Sequence, residues 1–147
     1  MTDGTADCEV VSTRLICAPR ERVFAAYTDP DQLARWWGPK GFTNEFQECD
    51  IRPGGQWRFV MRGPDGTEYK NHSTFAEIVP DERFVYDHLS GPVYRGEVTF
   101  ADEAKKTRLT FRMTFDSPTF LERARELIVR SNEENFDRLE AVLGVLK

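Results

Sequence analysis

The spacing of apolar residues changes once along this chain, and that change constrains the fold more than any other feature. Between residues 42 and 115, apolar and polar residues alternate in runs that Pro, Gly and Asp interrupt, as in the range 109–115. This period of two is typical of strands with one buried face. After Ser117 and Pro118, apolar residues recur every three or four positions, as in a helix. We therefore expect a sheet with one apolar face and a single long C-terminal helix that covers it.

Turn-forming residues divide the chain into strand and helix segments in a definite order. We expect strands over residues 8–17, 42–51, 56–62, 67–79, 83–89, 93–101 and 107–115. Two short helices are expected after the first strand, one at 20–28 and one from Pro30 to Gly38, with Asp29 as the N-cap of the second. The charged stretch 102–106 is expected to connect the last two strands.

The final helix is expected to be amphipathic and longer than about 20 residues. The residues expected to face the sheet are Leu121, Ala124, Ile128, Leu139, Val142 and Leu146. Those expected on the opposite side are Arg123, Glu126, Arg130, Glu133 and Asp137. Because so broad an apolar stripe needs an extended partner, we expect it to pack on the apolar face of the sheet.

Length and charge narrow the classes of protein to which the chain can belong. Its 147 residues are the size of one ordinary domain, so we expect a single domain over 1–147 with a frayed polar start at 1–7. The net charge of −5 argues against nucleic-acid binding, which favours a basic face. No stretch approaches the roughly 20 apolar residues of a membrane span, and the N-terminal residues lack the pattern of a secretory signal. We therefore expect a cytoplasmic protein.

Cysteine and histidine offer little support for metal or catalytic chemistry. Cys8, Cys17 and Cys49 include no closely spaced pair, and Cys17, among apolar neighbours, is expected to pack as a small hydrophobe. His72 and His88 lie in separate predicted strands, where a lone histidine is usually an ordinary surface or rim residue. The sequence contains no nucleophile elbow, phosphate loop or zinc-binding motif. We expect neither a metal nor a cofactor, and we assign no catalytic residue.

Three short motifs resemble a known family. They are Tyr27-Thr28-Asp29-Pro30, Trp36-Trp37-Gly38-Pro39 and Arg52-Pro53-Gly54-Gly55-Gln56-Trp57. In this order they resemble the single-domain relatives of the activator of heat-shock protein 90 ATPase, within the START-like superfamily (helix-grip, also termed SRPBCC or Bet v 1-like). The resemblance extends over about residues 10–145. It implies an α+β helix-grip fold, in which a curved antiparallel sheet of six to seven strands is accompanied by two short helices and carries a long C-terminal helix over its concave face.

The concave face of such a sheet is the strongest candidate for a binding site. Superfamily members often bind apolar small molecules there, so the resemblance implies a cavity between the sheet and the final helix; ordinary core packing is the alternative. A cavity for a small ligand is mostly apolar, with a few polar groups that orient the ligand. The candidate lining residues are Trp36, Trp37, Trp57, Phe59, Met61, Phe84, Tyr86, His88, Phe111, Met113, Ile128 and Asn132.

The final helix departs from the family pattern at one place. The family commonly has Gly-Trp a few residues before Leu-x-x-Leu, and Phe136-Asp137-Arg138-Leu139 resembles the second of these. Ser131 and Asn132 then stand where Gly-Trp would lie. Two interpretations stay open. Ser131, Asn132 and Asn135 either satisfy local backbone at a rim, or they enlarge the cavity and add hydrogen-bonding groups to its roof.

Three functions follow from these observations, and the first is favoured. The chain is expected to bind a hydrophobic or amphipathic small molecule, held by burial of its apolar surface at about 25 cal/mol per Å². The resemblance also implies a co-chaperone or other protein-interaction domain, although co-chaperone members carry an additional N-terminal domain that we do not expect in this 147-residue chain. A cyclase- or lyase-like enzyme is the third function, and it requires His72, His88 or a buried carboxylate inside the cavity with a displaced pKa. The ligand and the oligomeric state stay open.

Overall fold

Seven strands and three helices form the part of the chain, residues 8–145, that this computed structural model describes. The strands are β1 (Glu9–Ile16), β2 (Thr43–Cys49), β3 (Gln56–Arg62), β4 (Glu68–Val79), β5 (Arg83–His88), β6 (Tyr94–Glu103) and β7 (Lys106–Phe115). The helices are α1 (Arg20–Thr28), α2 (Pro30–Trp36) and α3 (Pro118–Leu143).

The strands form one antiparallel sheet in the order β1-β7-β6-β5-β4-β3-β2. β1 and β2 are successive strands in the chain but lie at opposite edges of the sheet, so α1 and α2 connect one edge to the other. The 26-residue α3 contacts β1, α1 and α2. This arrangement confirms the predicted α+β helix-grip fold, with seven strands.

The two faces of the sheet differ in polarity, as the alternation predicted. In β7, Leu109, Phe111 and Met113 are buried on the face toward α3, hereafter the inner face. The outer face carries ion pairs between neighbouring strands, such as Arg95 Nε and Asp87 Oδ1 at 2.8 Å. Exposed pairs of this kind contribute about 0–1 kcal/mol each. Burial of the inner face is therefore the main stabilising contribution of the sheet.

Strand ends lie within two residues of the predicted bounds, but the last hairpin is tighter than expected. The charged stretch 102–106 is mostly strand, because β6 continues to Glu103 and β7 begins at Lys106. Ala104 and Lys105 form the turn, with φ of 53° and 69°. A two-residue turn with positive φ at both positions matches the twist of paired strands, so the hairpin needs no longer connection.

The helix ends follow local capping signals. Asp29 Oδ1 accepts a hydrogen bond from Asp31 N at 3.1 Å, which confirms the predicted N-cap of α2. At the start of α3, Ser117 Oγ accepts from Phe120 N at 3.1 Å. Gly144 ends α3 with a φ of 70°, a left-handed conformation that glycine adopts without strain.

The apolar stripe of α3 faces the sheet broadly as predicted. Of the residues expected to face inward, two are fully buried and three are half-buried: Leu121 and Leu139, then Ala124, Ile128 and Val142. Leu146 lies outside the described residues. Other residues of the helix are also buried, and three of them are polar: Phe136, Leu143, Asn132, Asn135 and Glu140.

Arg14 links β1 to α3 and corrects one expectation about the helix. Glu133 and Asp137 were expected on the side opposite the sheet, but both accept hydrogen bonds from Arg14, at 2.7 and 2.6 Å. Glu140, which is 4% exposed, accepts a third at 2.8 Å. The guanidinium also lies 5.4 Å from the centre of the Phe136 ring. The long side chain of Arg14 reaches α3, so carboxylates on the border of the apolar stripe point toward the sheet.

The pKa of Arg14 reflects this environment. Burial alone would lower the pKa, but the hydrogen bonds to Asp137, Glu133 and Glu140 outweigh burial and raise it. Arg14 therefore remains a cation, and one positive charge faces three carboxylates.

Cys17 is exposed, so the expectation that it packs as a small hydrophobe is wrong. It follows Ile16, the fully buried last residue of β1, and alternation directs the next side chain outward. Cys8 and Cys49 are half-buried. Burial, with a smaller contribution from Asp50, raises the pKa of Cys49 to about 12, so its thiol stays protonated at neutral pH.

Candidate ligand-binding site

The residues that follow α2, Trp37-Gly38-Pro39 (hereafter the Trp37–Pro39 loop), are held against α3 by its polar side chains. Asn135 Oδ1 accepts a hydrogen bond from Gly38 N at 3.1 Å. Arg138 Nη1 donates to the carbonyl oxygens of all three loop residues at 3.0–3.2 Å. Gly38 has a φ of 102°, which side-chain-bearing residues rarely adopt. These contacts fix the loop over the inner face of the sheet.

A cavity of about 130 Å³ lies between the sheet, the Trp37–Pro39 loop and α3. Its floor consists of Met61, Tyr86, Tyr94, Phe111 and Met113. The loop forms one wall, and the roof consists of Ser131, Asn132 and Asn135 from α3. Among these described lining residues there is no Asp, Glu, His, Lys or Arg.

Two tyrosines place a hydroxyl pair at the cavity. Tyr86 OH and Tyr94 OH lie 2.8 Å apart, and the Tyr86 ring passes directly over Gly96. A Cβ atom at Gly96 would lie 2.4 Å from Tyr86 Cε1, so only glycine leaves room for the ring there. Burial raises the pKa of Tyr86 well above its ordinary value and raises that of Tyr94 to about 12. Both hydroxyls are therefore protonated at neutral pH.

The roof of the cavity is polar because two asparagines of α3 point inward. Asn132 is 5% exposed, and its Nδ2 donates to Ser12 Oγ at 3.1 Å and lies 3.6 Å from Met113 Sδ. Asn135, also buried, uses its Oδ1 to hold the Trp37–Pro39 loop. Asn135 thus satisfies a backbone group, whereas Asn132 bonds to a side chain; a role of either residue in ligand binding stays a prediction.

A groove of about 400 Å³ adjoins the cavity, and Met61 and Pro39 border both spaces. His88 lines the groove, with Nδ1 2.8 Å from Pro92 O and Nε2 2.9 Å from Asn71 Oδ1. Burial lowers the pKa of His88, and the hydrogen bond with Pro92 opposes this effect in part. The imidazole is therefore mainly neutral at pH 7, and its single N–H donates either to Pro92 O or to Asn71 Oδ1.

The structure divides the predicted lining residues into two sets. Six of them border the cavity: Trp37, Met61, Tyr86, Phe111, Met113 and Asn132. The other six lie elsewhere: His88 lines the groove, Ile128 is half-buried against the core, and Trp36, Trp57, Phe59 and Phe84 are packed within the core. Ligand binding by any of these residues stays a prediction.

The aromatic residues outside the cavity have other rings as neighbours. Trp57 stacks on Phe59 and Phe75, with ring centroids 4.9 and 5.5 Å away. Trp36 donates from Nε1 to Ala26 O at 3.0 Å, which anchors α2 on α1. For these side chains, ordinary core packing describes the structure.

Sequence reasoning missed Tyr94 and Arg138 as residues of this region. A signal for Tyr94 was present, because it is in phase with Val98 and Phe100, which are buried in the same strand. For Arg138 the pattern offered none, since its partners are backbone carbonyls of a loop about 100 positions away in sequence.

Two further properties of the described residues bear on function. Residues 8–145 contain no group of three or more His, Cys, Asp or Glu side chains placed to hold a metal ion. Within the same range, none of the helices has the length and apolar content needed to cross a bilayer.

Comparison with known proteins agrees with the fold. Residues 17–144 match the family described as Activator of Hsp90 ATPase homolog 1-like protein. A crystal structure from Nitrosomonas europaea has a TM-score of 0.87 at 22% identity, covering 95% of this chain and 96% of that chain.

Two other solved structures are similar. A structure from Arthrobacter aurescens has a TM-score of 0.87 at 25% identity, covering 97% of this chain and 90% of that chain. A structure from Mycobacterium smegmatis has a TM-score of 0.84 at 25% identity, covering 95% of this chain and 93% of that chain. The chain matches none of the curated proteins with which it was compared. Because the family match covers residues 17–144, most of its length, the chain belongs to the Activator of Hsp90 ATPase homolog 1-like family.

Proposed function

We propose that this protein binds a small, mainly apolar molecule in the cavity between the sheet, the Trp37–Pro39 loop and α3. The observation that carries the proposal is the open space of about 130 Å³ beside buried Phe111 and Met113. The space is a cleft with an apolar floor and a polar roof, the kind of lining that small-molecule sites commonly have. The polar groups of Tyr86 and Asn132 at its border are of the kind that orient a ligand in an apolar pocket.

The adjoining groove supports an entry path and room for a larger ligand. Met61 and Pro39 border both spaces, and Met61 has an unbranched, adaptable side chain. Phe42 and Tyr69 line the groove, with ring centroids 6.1 Å apart. An amphipathic molecule would place one end in the cavity and the remainder along these rings.

Native mass spectrometry of freshly purified protein tests the proposal. We expect wild-type protein to carry a co-purified small molecule, and N132W to lack it because an indole at position 132 fills the roof of the cavity. R123W is the matched control, since Arg123 is exposed on the same helix. An adduct that survives in N132W, or an apo mass in protein from several expression hosts, contradicts the proposal.

A protein-interaction function is the second candidate, and the family description supports it. The family is named after an activator of the Hsp90 ATPase. Tyr69 and Leu127 are large apolar side chains that are about half exposed, and each borders a groove that Phe42 also lines, which leaves both available to a partner. Stimulation of the Hsp90 ATPase by the purified protein, undiminished in N132W, would favour this function over ligand binding.

Enzymatic activity has less support from the geometry. His88 lines the groove with its ring nitrogens 2.8 Å from Pro92 O and 2.9 Å from Asn71 Oδ1, and His72 Nε2 lies 2.6 Å from Gln56 Oε1. Neither histidine borders the cavity. The cytoplasmic location and the single domain over 1–147 stay predictions.

A further inference from the structure

We infer that the cavity selects an uncharged, single-ring molecule that carries one hydrogen-bond acceptor and one N–H or O–H donor, as an aromatic amide does. The inference rests on the proposed function and specifies the chemical class of the ligand. Three properties of the cavity lead to it: the absence of charge among its lining residues, its size, and the hydrogen-bonding groups that its own residues leave unused.

The lining of the cavity offers nothing to balance a charge. Its described residues include no acid or base other than Tyr86 and Tyr94, and both of these stay protonated at neutral pH. The nearby Arg138 already donates to the carbonyls of the Trp37–Pro39 loop. Burying an unpaired ion costs far more than burying a neutral polar group. A carboxylate or ammonium group should therefore bind in the cavity more weakly than a neutral group of the same shape.

The size of the cavity limits the ligand to one ring. A dry cavity of about 150 Å³ lined by apolar side chains admits benzene. The cavity here, at about 130 Å³, has a similar capacity. Trp37, Phe111 and Met113 supply the apolar contacts around such a ring. A second ring or a chain would have to lie in the groove.

The tyrosine pair leaves one O–H proton without an acceptor. Tyr86 OH and Tyr94 OH carry two protons between them, and the hydrogen bond at 2.8 Å uses one. Neither hydroxyl bonds to any further residue in the described range. The remaining proton is available to a ligand acceptor, such as a carbonyl oxygen.

The Asn132 side chain, in turn, has a hydrogen-bond acceptor that no group in residues 8–145 uses. Its Nδ2 donates to Ser12 Oγ, whereas its Oδ1 accepts no hydrogen bond from residues 8–145. A carboxamide oxygen can accept two hydrogen bonds, so it is matched by an N–H or O–H donor on the ligand. The sheet thus offers a donor and the helix an acceptor, both on residues that line one ring-sized space.

Methyl NMR with benzamide and benzoate tests this inference, because the two probes share size and shape but differ in charge. The sequence contains only three methionines, and two of them, Met61 and Met113, border the cavity. Met61 also borders the groove, whereas Met113 does not. A ligand in the cavity therefore shifts both methyl signals through its ring current, and a ligand in the groove shifts the Met61 signal only.

We expect benzamide at millimolar concentration to shift both methyl signals of the wild-type protein, and benzoate to bind at least about tenfold more weakly at pH 7. In N132L, benzamide binding should weaken about tenfold because the ligand N–H loses its acceptor. Acetophenone, which has the acceptor but no donor, should bind wild type and N132L equally. Thermal unfolding checks that N132L is folded.

The outcomes separate this inference from the proposed function. Equal binding of benzoate and benzamide with shifts at Met113 overturns the preference for a neutral ligand but leaves ligand binding in the cavity intact. If N132L weakens the binding of benzamide and of acetophenone equally, the assignment of Asn132 as the acceptor is wrong. If no neutral probe shifts the Met113 signal, the cavity does not take such molecules, and the proposed function fails with the inference.

Discussion

Replacing Arg14 by Met should destabilise the fold strongly, because it leaves a buried carboxylate without its cation. The side chain of Glu140 is 5% exposed and that of Arg14 is 18% exposed, whereas the side chains of Glu133 and Asp137 are each 47% exposed. Removing one partner of a buried ion pair costs about 3–5 kcal/mol. Since water screens the two outer carboxylates, we take the lower value, about 3 kcal/mol.

This loss is measurable by urea unfolding followed by circular dichroism. For a domain of this length, about 3 kcal/mol corresponds to a fall in Tm of about 6–12 °C. The double variant R14M/E140L should recover at least about 2 kcal/mol of the loss, because apolar replacement of both partners of a buried pair is often neutral. R58M is the matched control, since Arg58 and Glu48 form a half-exposed pair at 3.5 Å and its loss should cost less than about 1 kcal/mol.

Two results would refute this reasoning about Arg14. One is a loss of stability in R14M no larger than that in R58M. The other is a double variant, R14M/E140L, no more stable than R14M, which would show that the cost lies in packing on Phe136 rather than in the unpaired charge of Glu140.

Three further predictions concern stability. Burial lowers the pKa of His88 below its ordinary value of 6.5, so as the pH falls the unfolded chain takes up a proton at this residue before the folded protein does. The free energy of unfolding should therefore decrease as the pH drops below about 6.5, and H88N should flatten that dependence between pH 5 and 7. G96A should cost about 1–3 kcal/mol in urea unfolding, because the added methyl group collides with the Tyr86 ring. W36F should cost about 2 kcal/mol or more, because it leaves Ala26 O without its donor and creates a void; a loss below about 0.5 kcal/mol would contradict this.

The sequence allowed the fold to be predicted closely because each decisive signal is local. Alternation in β7 and helical spacing in α3 identify the two apolar faces that pack together, and the Asp29-Pro30 cap marks the start of α2. Face selection in a strand needs only the neighbouring residues. The order of strands and helices then agrees with the helix-grip fold that the family resemblance implied.

Other features could not be predicted because they depend on contacts between distant segments. Alternation assigns Trp57 and Tyr86 to the same face, but it does not say that rings surround Trp57 while open space adjoins Tyr86. Likewise, the helical pattern alone does not predict that Glu140 is buried. Its burial depends on the cation of Arg14, which lies in a strand 126 positions away in sequence. Local period fixes which way a side chain points and leaves its depth and its partners undetermined.

Intermolecular NOEs between bound benzamide and methyl-labelled protein test the central claim most directly. If the cavity under α3 is the binding site, the ring protons of benzamide should give NOEs to the Met113 methyl group, which borders the cavity but not the groove. NOEs to Met61 alone, with none to Met113, would place the ligand in the groove and contradict the account.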